Sequence, residues 1–352
     1  MAAPRSLTAA QARRMRVAAQ EVRGSRRAPA DVVRRMVAMQ GQDLPQVLRA
    51  IAIRSAPGTG LADVRAAFDA GALVRSWAMR GTLFVATPDD LAVLHAATVD
   101  RLRPQEWRMC AARGIDAPTA DAAAAVLRAV LAPGPVARRA LLAAWEAAGI
   151  ATGGGRGYHL LALSAYDGLV RFGPFEGSEQ LLVGGPPPEV PEPAAALDEA
   201  LARWAAARGP ARADDAAWWT GLPKRPVRAA LERASDPDRG VLEQVLVDGV
   251  EMLVAAGAAE APRSGVLLVP GFDEWLLGYG DRSLAVSAAA MQAIVPGGNG
   301  VFRPVVLVDG VAVGTWRLPA GGRGEPVLEL VAPVPPRTLA AIESALRRWP
   351  HR

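Results

Sequence analysis

The sequence predicts an α+β fold in which three tandem winged-helix units precede a C-terminal module, either a small β-barrel or a sheet. Two observations support this fold class. Segments with helical spacing of apolar residues are followed by pairs of strand-like segments, and this order occurs three times at a spacing of roughly 70 residues. Beyond the third copy, short apolar strands alternate with glycine-rich connections. We therefore expect four regions, with the bounds 1–110, 111–185, 194–260 and 261–352.

The first unit combines helices with a hairpin. Apolar residues at helical spacing predict helices over 31–39, 45–54 and 61–70. Asp31 is positioned to cap the first of them. The period then changes to that of two strands, over 72–79 and 82–87. The strands join at Arg80-Gly81, and helices followed by such a hairpin are typical of a winged helix.

The same order of elements returns twice. In the second unit, helices are predicted over 118–131, 136–148 and 158–166, and strands over 169–172 and 180–183. In the third unit, helices are predicted over 194–208, 214–220 and 223–234, and strands over 241–247 and 251–255. The last two strands flank an Asp248-Gly249 turn, which favours a tight hairpin.

Proline-rich segments mark the remaining boundaries. Residues 184–193 contain five prolines and predict a stiff, extended linker, and a second boundary is expected near Ala261-Pro262. Beyond it, strands are predicted over 266–269, 305–308, 311–318 and 327–331, with glycine-rich connections at 297–300 and 320–324. A final helix places three side chains on one apolar face, those of Leu339, Ile342 and Leu346.

The composition is that of an ordinary globular protein. The 352 residues are 51% hydrophobic, but no apolar run reaches the roughly 18 residues of a membrane span. Charges are scattered through the first residues, where a signal peptide would be apolar, so we expect a cytoplasmic protein. The single cysteine is Cys110, and the three histidines have no zinc-ligand spacing. We expect neither a metal nor another cofactor.

Positive charge is concentrated near the N-terminus. Residues 1–95 hold 14 Arg against 7 Asp and Glu, a net charge of +7, whereas the rest of the chain holds 26 basic and 28 acidic residues, a net charge of −2. Such an asymmetry fits a face that contacts phosphates, although a solvated helix surface would also explain it. Together with tandem winged helices, it predicts double-stranded DNA as the partner.

Five groups of residues resemble, in order, motifs of the AlkZ/YcaQ-type winged-helix DNA glycosylases. They are Met39-Gln-Gly-Gln-Asp-Leu-Pro45, Trp77-Ala-Met-Arg-Gly-Thr-Leu83, Trp218-Trp-Thr-Gly-Leu222, Phe272-Asp-Glu-Trp-Leu-Leu-Gly-Tyr279 with Asp281-Arg282, and Asn299-Gly-Val-Phe-Arg-Pro304 with Val313-Gly-Thr-Trp316. The resemblance spans nearly the whole chain. It implies three winged helices and a β-barrel wrapped around DNA.

The resemblance also implies an activity and a catalytic pair. Members of that family excise N7-alkylated purines, and some unhook interstrand crosslinks. Their catalysis is assigned to a Gln-x-Gln or Gln-x-Asp pair, which maps here onto Gln40 and Gln42. The residue between the pair is usually aliphatic in the family and is Gly41 here, and Phe84 replaces a histidine that often follows the Thr-Leu of the hairpin motif.

This assignment is chemically consistent. An N7-alkylated purine carries a positive charge and leaves without protonation by a strong acid, so the enzyme needs oriented acceptors for a water and for an oxocarbenium-like sugar. Amide oxygens of Gln40 and Gln42 supply such acceptors if the backbone between them is not helical. Gly41 and Pro45 both favour a break in the helix there, and Asp43 is expected to cap the next one.

Three further residues are expected to contact DNA. Arg80 and Thr82 lie at the predicted tip of the first hairpin, and Lys224 begins the third helix of the third unit. Strand-cleaving glycosylases normally use an amine to form a Schiff base, and this chain offers only Lys224 and its N-terminus. We expect a monofunctional glycosylase.

Other interpretations stay open at this point. Gln40 and Gln42 are also compatible with an ordinary solvated turn, in which case the protein would be a noncatalytic DNA-binding regulator or a protein-interaction scaffold. Asp273 and Glu274 do not suit a carboxylate pair for glycoside hydrolysis, because adjacent residues on a strand point apart. We expect instead a structural contact between Asp273 and Arg282.

Overall fold

The computed structural model describes residues 4–185, 188–190, 192–236, 238, 240–319 and 324–351. The chain divides into two compact units. The discontinuous unit combines residues 1–64 with residues 198–352, and the continuous unit consists of residues 65–197.

The N-terminal stretch is mostly helical. It contains strands β1 (Arg5–Leu7) and β2 (Ala38–Gln40), and helices α1 (Ala9–Ala19), α2 (Pro29–Met36), α3 (Leu44–Ala52) and α4 (Leu61–Asp69). Side chains stabilise the starts of two of these helices. The Thr8 hydroxyl accepts a hydrogen bond from the backbone of Gln11 at α1, and the Asp43 carboxylate accepts one from the backbone of Gln46 at α3.

The middle of the chain forms two hairpins and four helices. The hairpin strands are β3 (Val74–Met79), β4 (Thr82–Ala86), β5 (Val170–Glu176) and β6 (Glu179–Gly184). The helices are α5 (Pro88–Ala111), α6 (Ala117–Leu131), α7 (Arg138–Ala147) and α8 (Arg156–Tyr166). The strands lie in the order β4-β3-β5-β6, and the two hairpins pair with each other through Arg75 opposite Phe172.

The C-terminal stretch begins with three helices, α9 (Pro193–Arg208), α10 (Ala213–Thr220) and α11 (Lys224–Ala234). Two hairpin strands follow, β7 (Leu242–Val247) and β8 (Val250–Ala255). The remainder contains β9 (Val266–Val269), α12 (Glu274–Leu277), α13 (Ala288–Ile294), a 3-10 turn (Pro296–Gly298), β10 (Val305–Val308), β11 (Val311–Arg317), β12 (Val327–Leu330) and α14 (Pro336–Arg347).

The discontinuous unit is closed by contacts between its two stretches. Strand β1 pairs in parallel with β7, so that Arg5 lies opposite Val245, and β7 pairs with β8. Leu7 of β1 and Met15 of α1 pack with apolar side chains of this sheet. A second, antiparallel sheet has the order β12-β11-β10-β9, and Ile342 and Leu346 of α14 belong to the core beneath it.

The core of the continuous unit lies among α5, α6, α7, α8 and the hairpins. Trp145 and Tyr166 are buried there, and the indole nitrogen of Trp77 donates a 3.1 Å hydrogen bond to the hydroxyl of Tyr158. Among the described residues of both units, no helix is long and apolar enough to cross a membrane.

The mixed α+β fold class is confirmed, as are the paired strands and most helices. The hairpin turn at Arg80-Gly81 and the apolar face of the last helix also lie where the sequence predicts them. The three winged-helix units stay a prediction. Parts of the proline-rich linker (186, 187 and 191) and of the last glycine-rich connection (320–323) lie outside the described residues.

Several elements differ from the prediction, among them β1, α1, α12 and α13, which were not predicted. Helix α2 ends at Met36 and is followed by a strand, whereas a helix to residue 39 was expected. Helix α5 runs for 24 residues with Pro104 inside it, although proline normally ends a helix and no helix was predicted there. Strand β5 continues through Pro174 to Glu176, which leaves two residues before β6, whereas strands over 169–172 and 180–183 were expected.

Candidate active site

The two predicted catalytic glutamines lie on a non-helical segment between β2 and α3. Gln40 is the last residue of β2, and Asp43 is the N-cap of α3, as expected. The glutamines differ in exposure: Gln40 is only 6% exposed, whereas Gln42 is exposed. The Gln40 side-chain oxygen accepts a 3.0 Å hydrogen bond from the backbone of Gly41. This bond fixes where that oxygen points.

A strained turn at Val37 leads into this segment. Val37 has φ of +65° and ψ of −54°, close to the values of a γ-turn that is rare in proteins. A β-branched side chain is a genuine outlier in this region, and the conformation costs on the order of 1–3 kcal/mol. Val37 is fully buried, so its surroundings must hold the turn. The turn ends α2 and redirects the chain into β2.

Arg208, the last residue of α9, supports both sides of that turn. Its guanidinium donates a 2.9 Å hydrogen bond to the carbonyl of Met36 and a 3.0 Å bond to the carbonyl of Ala38. The side chain of Arg208 is completely buried. A buried arginine is costly unless all its donors are used, and these two carbonyls satisfy part of that need.

Glu274 links Arg208 to the glutamine segment. One carboxylate oxygen of Glu274 accepts a 2.8 Å hydrogen bond from the backbone nitrogen of Gln40. The other oxygen accepts bonds of 2.6 Å from Arg208 and 3.1 Å from the indole of Trp219. Both oxygens of this buried carboxylate are therefore bonded, and the ion pair is tied directly to the main chain of Gln40.

A second buried ion pair lies in the same unit. The Arg54 guanidinium donates bonds of 2.8 and 2.7 Å to the two oxygens of Asp273, and further bonds to Ala50 and Gln20. Burial alone would lower the pKa of Arg54, but the Asp273 carboxylate raises it above the ordinary value. Asp273 also caps α12 by accepting a bond from the backbone of Trp275.

Tyr279 connects the two ion pairs. Its hydroxyl accepts a 2.9 Å bond from Gln20, which in turn accepts from Arg54, and it donates a 2.7 Å bond to the backbone oxygen of Arg208. Burial raises the pKa of the Tyr279 phenol, so it stays a donor. The side chains form one continuous buried network behind the glutamine segment.

The network was not predicted from the sequence. The contact expected between Asp273 and Arg282 is wrong, because Asp273 pairs with Arg54 while Arg282 bonds the backbone oxygen of Leu276. Asp273 and Glu274 also lie at the start of α12 and not on a strand. No sequence pattern indicated the role of Arg208, and Glu274 was predicted neither to pair with an arginine nor to bond Gln40. The charge excess near the N-terminus includes Arg54, which is buried and faces no DNA phosphate.

Arg80 and Thr82, the hairpin residues predicted to contact DNA, lie in the continuous unit. Arg80 occupies the first turn position between β3 and β4 with φ of +53°, and Gly81 follows with φ of +71°. The Thr82 hydroxyl donates a 3.4 Å bond to the backbone oxygen of Met79, and the Arg80 guanidinium lies 5.6 Å from the ring centre of Phe84. These residues form the tip of the hairpin, as expected.

Lys224 begins α11 in the discontinuous unit, as predicted, and its side chain is 64% exposed. Its amine lies 2.9 Å from a carboxylate oxygen of Asp214, whose other oxygen is 2.6 Å from Arg228. Hydrogen bonds from Lys224 and then Arg228 lower the pKa of Asp214. Lys224 is thus one of two cations that share an acidic partner at the surface.

Two comparisons with known proteins agree on the kind of protein, and a third concerns the fold. The sequence model of the family described as "DNA glycosylase AlkZ-like" matches residues 33–351. A curated protein of Streptomyces sahachiroi named "Interstrand DNA cross-link repair glycosylase" is 28% identical over 309 residues, which cover 82% of this chain and 81% of that protein. The solved structure of Streptomyces sahachiroi DNA glycosylase AlkZ superimposes with a TM-score of 0.77 and 22% identity, covering 99% of both chains. The structural similarity, at 22% identity, concerns the fold alone. Because the family model matches most of the sequence, the chain belongs to the AlkZ-like DNA glycosylase family.

Proposed function

We propose that this protein is a monofunctional DNA glycosylase that hydrolyses the N-glycosidic bond of N7-alkylated purines in double-stranded DNA, and that its substrates include interstrand crosslinks. The observation that carries the proposal is the non-helical Gln40–Gln42 segment, whose first backbone nitrogen is bonded to the buried Arg208–Glu274 ion pair, in a chain of this family. The crosslink substrate is supported by the name of the 28% identical relative.

The glutamines suit this chemistry. The alkylated base is a cationic leaving group, so the site must hold a water near C1′ and stabilise positive charge on the sugar. The exposed Gln42 is the member of the pair that solvent reaches, and the buried Gln40 is oriented through its bond with Gly41. In this mechanism Gln42 binds the attacking water, and the oxygen dipole of Gln40 faces the developing charge.

We further propose that three winged-helix units bind the duplex. The helices α2 to α4, α6 to α8 and α9 to α11 each precede a hairpin, the arrangement on which this proposal depends. Arg80 and Thr82 at the first hairpin tip contact the DNA groove or backbone, and Lys224 contacts a phosphate. Lys224 leaves Asp214 for that phosphate at little cost, because exposed ion pairs contribute only about 0–1 kcal/mol.

The absence of strand cleavage follows from the same lysine. A glycosylase that also cuts the backbone needs an amine that attacks C1′. Lys224 is the only lysine of the chain, and its amine is bonded to the Asp214 carboxylate. Hydrolysis by water then leaves an abasic site in an intact strand.

The test is release of 7-methylguanine from methylated duplex DNA under single-turnover conditions. The wild type is compared with the Gln40→Ala/Gln42→Ala double variant, and duplex binding is measured alongside. Release by the wild type that is lost in the double variant, with binding retained, supports the proposal. A duplex crosslinked through guanine N7 atoms forms the second arm.

No release from either substrate, combined with tight binding to plain duplex, would instead favour a noncatalytic DNA-binding protein. Binding without the strong salt dependence of phosphate contacts would argue against DNA as the partner at all. Strand cleavage without added base or amine would contradict the monofunctional assignment.

A further inference from the structure

The ion pair between Arg208 and Glu274 contacts the main chain at three points between the end of α2 and the start of the glutamine segment. Arg208 bonds the carbonyls on either side of Val37, and Glu274 bonds the backbone nitrogen of Gln40. We propose that Arg208 and Glu274 are positioning residues that fix the backbone path from Val37 to Gln42 and thereby set the rate of base release. This inference rests on the proposed function.

The turn at Val37 explains why such support is needed. With its positive φ, an unsupported Val37 would relax to an ordinary conformation and swing β2 and the glutamines away from their present direction. Arg208 bonds the residues immediately before and after Val37, so it opposes rotation on both sides of the strained position. Glu274 then fixes the far end of β2.

Only an arginine has the geometry for this task. Its planar guanidinium presents donors in a rigid fork and here reaches two carbonyls and one carboxylate oxygen at once. A lysine at position 208 keeps the charge but is a single point donor on a flexible stem. A lysine at this position is therefore still attracted to Glu274, but it cannot donate hydrogen bonds to the carbonyls of Met36 and Ala38 at the same time.

A stability role alone does not account for these contacts. Buried ion pairs are often no better for stability than apolar side chains of the same size. The same unit offers a second pair, Arg54 and Asp273, that is equally buried and equally short. The hydrogen bonds of Arg54 go to Gln20, Ala50 and Asp273, none of which belongs to the glutamine segment. Only the Arg208–Glu274 pair bonds the main chain of residues 36–40 directly, so a matched substitution in the Arg54–Asp273 pair is the control for loss of stability.

The experiment compares Arg208→Lys with Arg54→Lys in the full-length protein. Both substitutions weaken a buried pair, and we expect both to lower the thermal unfolding temperature. At a temperature where both variants are folded, Arg208→Lys should lower the single-turnover rate constant by about tenfold or more, because small displacements of reacting groups are costly. Arg54→Lys should change that rate constant by less than about threefold. A threefold change corresponds to less than about 1 kcal/mol in the activation free energy. Duplex affinity should be unchanged in both.

Hydrogen exchange of the segment gives a readout that needs no activity. Peptide-level mass spectrometry should show faster exchange at residues 38–41 in Arg208→Lys than in Arg54→Lys, because the carbonyls of Met36 and Ala38 lose their bonds to Arg208 and the turn before β2 then opens more often. If either variant fails to fold, Glu274→Gln and Asp273→Asn form the replacement pair. They remove one negative charge from each ion pair and leave side chains of nearly the same shape.

The outcomes are distinct. Equal loss of rate in the two variants, or unchanged rate in Arg208→Lys, overturns the positioning role. Equal exchange at residues 38–41 overturns it as well, whatever the activity. Failure of the wild type to release any base contradicts the proposed function, and the exchange comparison then decides by itself whether Arg208 and Glu274 hold the segment.

Discussion

Arg54 and Asp273 form two parallel hydrogen bonds of 2.8 and 2.7 Å although 219 residues separate them in the sequence. Both side chains are buried, so removing either charge leaves the other without compensation. We expect Asp273→Asn, which keeps the cap of α12, to lower the free energy of unfolding by about 3–5 kcal/mol. Urea denaturation followed by circular dichroism measures this change.

An exposed pair serves as the control. Arg233 and Asp198 also form two hydrogen bonds, of 2.7 and 2.8 Å, but at the surface. Asp198→Asn should cost less than about 1 kcal/mol. Similar losses in both variants would mean that the buried pair contributes nothing beyond an ordinary surface contact.

On the proposed role of Lys224, Asp214 competes with a DNA phosphate for its amine. Lys224→Ala should weaken duplex binding uniformly across sequences and reduce the salt slope of the affinity by about 1. Asp214→Asn should have the opposite sign and strengthen binding, because it releases both Lys224 and Arg228 from their acidic partner. Fluorescence anisotropy over a salt titration measures both effects.

The matched control is Arg347→Ala on α14, which removes an equally exposed cation from an ion pair with Glu343. Its salt slope should match that of the wild type. An equal change of slope for Arg347→Ala and Lys224→Ala would remove the reason for assigning Lys224 to a phosphate.

The hairpin tip provides a test of DNA contact in the continuous unit. Arg80→Ala should cost about 1–3 kcal/mol in duplex binding if the guanidinium contacts base edges or phosphate directly. Thr82→Val, which replaces a hydroxyl by a methyl group of the same shape, should cost about 0.5–1.5 kcal/mol. Arg139→Ala on α7, where the side chain is exposed and bonded to Glu179, is the control. Unchanged affinity in Arg80→Ala would exclude the tip from the interface.

Cys110 should be unreactive in the folded protein. Burial raises the pKa of its thiol to about 11, with a further contribution from Glu106, so roughly one molecule in a thousand carries a thiolate at pH 8. We expect slow reaction with Ellman's reagent in buffer and rapid reaction in guanidinium chloride. Fast labelling of the native protein would show that the α5 region opens readily.

The raised pKa of the Cys110 thiol also predicts that the protein loses stability in alkaline solution. The unfolded thiol titrates near its ordinary pKa of 9.0, below the folded value of about 11. Between these values the unfolded state binds fewer protons than the folded state, so the free energy of unfolding falls as the pH rises. Burial also raises the pKa of the Tyr166 phenol, so its ionisation lowers the stability at high pH in the same way. Cys110→Ser should show a smaller decrease of the melting temperature between pH 9 and pH 11.

Local patterns predicted most of the fold. The helices of the third repeat and the hairpin at Arg80-Gly81 depend on apolar periodicity, capping residues and turn residues, all of which lie within a few positions of one another. Helix α5 escaped prediction because Pro104 normally ends a helix, and β2 because three buried residues carry no alternating pattern. Neither feature contains a local signal of its final structure.

The candidate site was predictable only in part. The non-helical backbone at Gly41 and the cap at Asp43 follow from residue type, and the positions of the glutamines came from resemblance to a family. The burial of Arg208 did not follow, because an arginine at a helix end is usually exposed, and its partner Glu274 is 66 residues away. The positive φ of Val37 was also hidden, since valine is among the residues least suited to it.

The discontinuous unit has a consequence for the order of events during protein synthesis. Its first stretch, with Arg54 and the glutamine pair, leaves the ribosome early, whereas Asp273 and Glu274 emerge late. The intervening continuous unit can form its own core in the meantime, as domains generally do while the chain grows. On the proposed positioning role, a nascent chain has no acceptor for the backbone nitrogen of Gln40 until Glu274 has been synthesised, so the glutamine pair is ordered only after the continuous unit has formed.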